Sequence, residues 1–149
     1  MAPPVSPLDR QAVIDYALGL GFHLVGIAAV DEPPNPAETA AVGHLHTWLK
    51  QGYQADMDWM ANPRRQDIRQ VLPGARSLIC VALNYYSPQP HSADPGHGKI
   101  SRYAWGRDYH RVLHKRLKAL ADWITAAGDS AIQVRYYADT GPVQDKAWA

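Results

Sequence analysis

The chain has 149 residues, with 15 basic and 14 acidic side chains and a formal charge of +1. That length fits one domain. The near balance of charge excludes a protein that wraps nucleic acid by bulk charge alone. The single cysteine, Cys80, excludes an intrachain disulfide, a thiolate zinc site and an iron–sulfur cluster held by this chain alone, which would need about four thiolates.

Met1–Pro7 is proline-rich and reads as a loose start, so residues 1–8 are expected to be flexible and 9–149 to form the domain. Those first residues lack the basic-then-apolar pattern of a secretory signal. No run approaches the roughly 20 apolar residues of a membrane span. The expectation is a soluble, cytoplasmic monomer with no membrane partner.

Asp9 to Leu20 reads as a helix with Val13, Ile14, Ala17 and Leu18 on its apolar stripe and Gly19 and Gly21 closing it. Phe22 to Ala29 has the content of a strand, with Gly26 marking a bulge or a close approach. Asp31 to Pro36 is a loop, and Ala37 to Lys50 a second helix carrying Val42, Leu45, Trp48 and Leu49 on one side. Asp56 to Ala61 predicts a short helix broken at Asn62-Pro63. Arg64, Arg65 and Arg69 follow; such a run can clamp phosphates or carboxylates, but its default reading is a solvated helix face.

Ser77 to Tyr86 is nearly continuous in apolar residues and predicts a central strand buried on both faces. Cys80 within it reads as a small buried apolar residue, not a nucleophile. Ser87 to Gly98 is a loop. Asp108 to Ala127 predicts the longest helix, with Leu113, Leu117, Leu120, Trp123 and Ile124 buried and Arg111, Lys115, Arg116 and Lys118 mostly outward. Gly128 ends it. Ala131 to Tyr137 predicts a strand, and Gly141 opens a further helix. The order implies a mixed α/β (α+β) layer architecture. No glycine-rich dinucleotide or P-loop fingerprint is present. Asp145 to Ala149 reads as a helix halted without a cap, as in a fragment of a longer protein.

Three segments carry more functional groups than packing needs. Lys99 to His110 (KISRYAWGRDYH) holds Ser101, Arg102, Tyr103, Trp105, Arg107, Asp108, Tyr109 and His110 at the start of the long helix. Asp108 suits an N-cap, and the free N–H groups there suit an anion. The plain alternative is a loop whose aromatics pack and whose charges are solvated. Ala138 to Val143 (ADTGPV) places Asp139 at the carboxyl end of the expected strand. Asp139 could donate a proton if an apolar pocket favoured its neutral form, or it could cap a helix starting near Pro142. Asn62 to Arg69 is the third. The seven histidines form no recognisable ligand set, so no metal is expected.

Taken together, Asp56-Met57-Asp58-Trp59-Met60, Arg65 through Leu72-Pro73-Gly74-Ala75-Arg76-Ser77, Ile100 to His110, and Asp139-Thr140-Gly141-Pro142-Val143 with Lys146-Ala147 resemble the epoxyqueuosine reductase family, in the family's order from about Asp9 to Ala149. The resemblance implies an amino-terminal, nitroreductase-like cobalamin-binding domain, incomplete at its carboxyl end. It implies reduction of epoxyqueuosine to queuosine at the wobble position of tRNA, with base-off cobalamin and two [4Fe–4S] clusters in the full-length enzyme. It matches Asp139 to the family's proton donor, Ser101, Arg102 and Tyr103 to a segment approaching the cobalamin, and Arg65 to a basic residue reaching it. Some relatives carry a cysteine where Ser101 stands. The clusters would lie beyond this chain, so it is expected to be inactive alone, with its electron donor open. Two other readings remain: a corrinoid-holding module without chemistry, and a structural domain that binds no cofactor.

Overall fold

A computed structural model describes residues 8–31, 33–128 and 131–149, so the expected loose start at 1–7 lies outside it. The chain divides into two compact units: one of residues up to Leu24 with Val81–Asp139, the other of Val25–Cys80 with Thr140–Ala149.

The first unit is built on two helices, α1 (Arg10–Gly19) and α2 (Tyr109–Ala127). Asp9 starts α1 as foreseen, its carboxylate accepting from the Gln11 and Ala12 N–H groups. Asp108 starts α2 by accepting from His110 N–H at 3.0 Å. The helices meet through a parallel stack of Tyr16 on Trp123, ring centres 4.4 Å apart. Val13, Ala17, Phe22, Leu117, Leu120, Ala121, Ile124 and Ala138 are buried. Each large side chain among them contributes on the order of 1.5–3 kcal/mol. Leu18, expected on the stripe, is exposed. It lies on the shoulder of a stripe that needs only Val13 and Ala17 at its centre.

Arg116 also departs from expectation. Its guanidinium turns inward and donates to Gly21 O at 2.7 Å. Gly21 turns the chain at φ +90°, where a side chain would be strained and would crowd that guanidinium. Lys118 pairs with Asp122 at 2.7 Å. The four cations of α2 therefore do not form one free basic face.

Ala131 to Tyr137 is not a strand. Its burial alternates, with Ile132, Val134 and Tyr136 partly covered and their neighbours exposed, as an extended chain dictates. Among the described residues no strand pairs with it, and a strand is defined by its ladder. Gly128 closes α2 where a side chain would collide with Ile132, 2.0 Å from the position of a Cβ.

The second unit contains β1 and β2, Leu24–Ala29 and Ser77–Ala82, whose first and last residues extend into the other segment of chain. Among the described residues they pair only with each other. His23 N–H donates to Ala82 O and Val30 N–H to Arg76 O, so the pairing is antiparallel. The expectation of a central strand buried on both faces is corrected: β2 has one partner and no fully buried residue. An apolar run shows that faces are covered somewhere, not how many strands lie beside it. Nothing stands within 4 Å of a Cβ at Gly26, so no close approach explains that glycine. Cys80 is half-buried, and burial, then the Asp145 charge, push its thiol up. A protonated thiol is a poor nucleophile.

Helix α3 (Pro36–Lys50) begins at Asn35, which caps Glu38 N–H, with Pro36 in the first turn. The final helix, α4 (Asp145–Trp148), packs on α3. Asp58–Ala61, Pro63–Arg65 and Ile68–Gln70 are single tight turns. No helix among the described residues is long and apolar enough to cross a membrane.

Arg69 organises this unit. It donates to Glu38 at 2.8 Å, to Asp67 at 3.0 Å and to Asp31 O. Glu38 is the buried partner, its side chain 7% exposed. These bonds raise the Arg69 pKa, the Glu38 hydrogen bond most of all. Burial works against the Asp67 carboxylate, but hydrogen bonds from Arg69 and its charge outweigh it and hold Asp67 below the usual 3.8. Arg69→Met strands Glu38 without a partner and should cost about 2–4 kcal/mol in urea unfolding at pH 7. Because the folded Asp67 pKa is depressed, its share is present above the usual 3.8 and is lost as pH falls through the folded value. The gap between wild type and Arg69→Met should therefore narrow below about pH 4.

Candidate active site

Asp139 does not cap a helix. Helix α4 begins six residues later, at Asp145, and its N-cap Gln144 makes no side-chain cap bond. Asp139 instead has a left-handed backbone, φ +67°. Such a conformation costs a non-glycine residue on the order of 1–3 kcal/mol and is found where surrounding structure imposes it. Here the imposition is visible. Ala138 is buried just before it, and Asp139 Oδ2 accepts from the Tyr109 hydroxyl at 2.8 Å.

Tyr109 and His110 open α2, and both reach Asp139. His110 Nε2 lies 3.7 Å from Asp139 Oδ2, while its Nδ1 lies 2.8 Å from Asp108 Oδ1. The Tyr109 ring stacks on His110 at 4.0 Å. The result is a carboxylate, phenol and imidazole converging at one helix start. The hydrogen bond to Asp139 is the main cause pushing the Tyr109 phenol above its usual 10.0. Tyr109 therefore stays a donor to Asp139 throughout the neutral range.

The Asp139 side chain is 65% exposed, so the apolar pocket that the sequence reading required is not built around it here. What adjoins it is an open aromatic surface. Tyr103 meets Tyr109 edge-on at 6.0 Å and Tyr85 at 6.3 Å. Tyr85, Tyr86 and Tyr103 are 65%, 68% and 51% exposed, and Ile100 is exposed beside them in the sequence. Arg102 sits over the rings of Tyr86 and Trp105, at 5.3 and 5.8 Å. Its Nε is buried and has no hydrogen-bond partner among the described residues. Ser101 precedes the tight turn Arg102–Ala104 without a side-chain cap bond. The sequence reading named Ser101, Arg102, Tyr103 and Asp139, which fall in the first unit. It did not single out Tyr109 or His110, although Asp108 as an N-cap fixes both in the first turn.

Arg65 belongs to the second unit and is engaged there. Its guanidinium lies 4.4 Å from the Trp59 ring centre and donates to Gly141 O at 3.1 Å. Gln144 donates back to Arg65 O at 2.8 Å. With Arg64, Gln66, Pro142 and Val143 it borders a small hollow of about 20 Å³. The run Asn62 to Arg69 is therefore not a solvated helix face: Arg65 and Arg69 are structural anchors as well as charges. Among the described residues no group of three His, Cys, Asp or Glu is placed to hold a metal.

Residues 65–140 match the model of the family described as epoxyqueuosine reductase QueG, DUF1730. The chain belongs to the epoxyqueuosine reductase QueG family. An epoxyqueuosine reductase of Synechocystis sp. is 59% identical over 125 residues, covering 84% of this chain and 42% of that protein. The fold agrees with a crystal structure of selenomethionine-labelled epoxyqueuosine reductase (TM-score 0.73, 26% identity, 93% of this chain and 36% of that one). It agrees equally with an epoxyqueuosine reductase crystallised with an epoxyqueuosine-modified tRNA-Tyr stem loop (TM-score 0.72, 25% identity, 93% and 36%). This QueG-family chain thus spans about two-fifths of the length of the relatives it matches.

Because of its bond to Asp139, the Tyr109 phenol should ionise above 10 in carbon-13 NMR of labelled tyrosine. In Asp139→Ala that midpoint should move back toward 10 while the other tyrosines stay unchanged.

Proposed function

We propose that this chain supplies the proton-donating face of an epoxyqueuosine reductase that converts epoxyqueuosine to queuosine in tRNA. The observation that carries the reading is Asp139, held in a strained backbone by the Tyr109 hydroxyl beside an exposed tyrosine surface. Opening an epoxide develops negative charge on its oxygen, and a positioned acid neutralises that charge in the transition state. Asp139 takes that role. Tyr109 orients it by donating to Oδ2, which leaves Oδ1 to face the reacting oxygen. A module that merely held a corrinoid would have no use for a strained carboxylate.

Cobalamin fits the residues present. The exposed rings of Tyr85, Tyr86 and Tyr103 suit a large planar macrocycle, and the Arg102 Nε beside them has no hydrogen-bond partner among the described residues. We assign the holding of a base-off cobalamin to Ser101, Arg102 and Tyr103 of the first unit. When bound, the cobalt would supply the reducing electrons. Covering the aromatic surface would also strip water from the acid, and removing water favours the protonated form of a carboxylic acid. Iron–sulfur clusters do not fit this chain, whose one cysteine cannot supply about four thiolates. Clusters that feed the cobalamin would be held by other cysteine-bearing protein. Alone, the chain binds cofactor without turning over. A modified tRNA as substrate places the work in the cytoplasm.

Titration of the purified chain with cob(II)alamin, followed by EPR, tests the assignment. A saturable base-off signal is expected, weakened at least about tenfold, some 1.4 kcal/mol, in Tyr103→Ala and in Arg102→Ala. No saturable signal from the folded chain, or equal binding by both variants, would overturn it.

A further inference from the structure

The Asp108–His110 pair is not explained by holding the helix start alone. Asp108 already caps α2 through the His110 N–H, and the same Oδ1 atom also contacts Nδ1 of the imidazole. The His110 hydrogen bond first of all holds the Asp108 carboxyl below its usual range. At neutral pH Asp108 is therefore a carboxylate, which can only accept. The Nδ1 atom must then carry the hydrogen. The tautomer of a neutral histidine is set by the partner of one ring nitrogen, so the lone pair of His110 falls on Nε2. That nitrogen is the one 3.7 Å from Asp139 Oδ2. The groups facing the imidazole are Asp108, Tyr109 and Asp139, with Tyr103 against Tyr109 and Arg111 exposed on the same helix turn.

We propose that Asp108 and His110 are positioning residues that return a proton to Asp139 after each turnover. This rests on the reading of Asp139 as the acid. Once Asp139 has given its proton away, its carboxylate takes the hydrogen from Nε2 of the His110 imidazolium. Neutral imidazole remains, with its hydrogen on Nδ1 held by Asp108. Nε2 then takes up a proton from hydronium or a buffer acid in the solvent at this half-exposed position, so each turnover consumes one solvent proton. The 3.7 Å separation is longer than a hydrogen bond, so the transfer takes a small side-chain shift or one bridging water. Tyr109 keeps its own proton, because its bond to Asp139 pushes its ionisation above 10.

The first test is long-range nitrogen-15 NMR of labelled histidine in this chain, read at a pH where His110 is neutral. The Nδ1–H tautomer is expected in the wild type. Asp108→Ser keeps a good N-cap, so α2 stays helical by circular dichroism, yet it removes the carboxylate that holds Nδ1. His110 should then change to a tautomer mixture. An Nε2–H tautomer in the wild type, or no change in Asp108→Ser, would overturn the proposal. The second test uses the cobalamin- and cluster-loaded holoenzyme with an epoxyqueuosine stem loop. His110→Gln should leave the first turnover within about threefold but slow later turnovers at least about tenfold. Equal loss in both phases, or loss in neither, would contradict a proton-returning role. Should Asp139→Asn leave both phases intact, the reading of Asp139 itself fails, whatever the histidine tautomer.

Discussion

The hydrogen bond from the Tyr109 hydroxyl to Asp139 Oδ2 is the contact on which the rest of the site depends. It joins the first turn of a 19-residue helix to the end of an extended segment thirty positions later. A carboxylate at φ +67° needs an external constraint, and this bond, with the buried Ala138 before it, is that constraint. The helix start is in turn fixed by Asp108, whose carboxylate caps the backbone and orients His110. One turn of helix therefore determines where the phenol, the imidazole and the acid stand.

The second unit solves a different problem. Beside a two-stranded sheet, single tight turns, a 15-residue helix and a four-residue one, it has few buried hydrophobics among the described residues: Leu45, Ile68 and Val71. Arg69 compensates by tying Glu38, Asp67 and Asp31 together. Arg65 fastens the stretch around Gly141 by the same means. These charges stabilise the fold because they are paired in geometry that satisfies their donors. Charge on display would not do this.

Local rules made much of this legible beforehand. Asp9 and Asp108 cap helices as their side chains and neighbours imply, and the stripe Leu117, Leu120 and Ile124 is buried. Pairing was not legible, because a ladder depends on what lies beside a strand. Ser77 to Ala82 found one partner strand instead of two, and Ile132 to Tyr137 joins no ladder among the described residues. Asp139 had two readings in the sequence, cap or acid, and the structure excludes the cap. Its positive φ and its bond to Tyr109 arise from contacts distant in sequence, so periodicity could not decide between them. Arg69 and Arg116 were misread for a related reason: a guanidinium on a polar face turns inward when a carboxylate or carbonyl waits there.

The central claim is that Asp139 is the acid of epoxide opening, and single-turnover reduction by the Asp139→Asn holoenzyme tests it most directly. Asparagine keeps the shape and the acceptor for Tyr109 but carries no acidic proton. The account predicts unchanged binding of cobalamin and of the stem loop, with queuosine formation slowed at least about a hundredfold. Reduction within a few-fold of the wild type would contradict it and leave Asp139 as a strained structural residue.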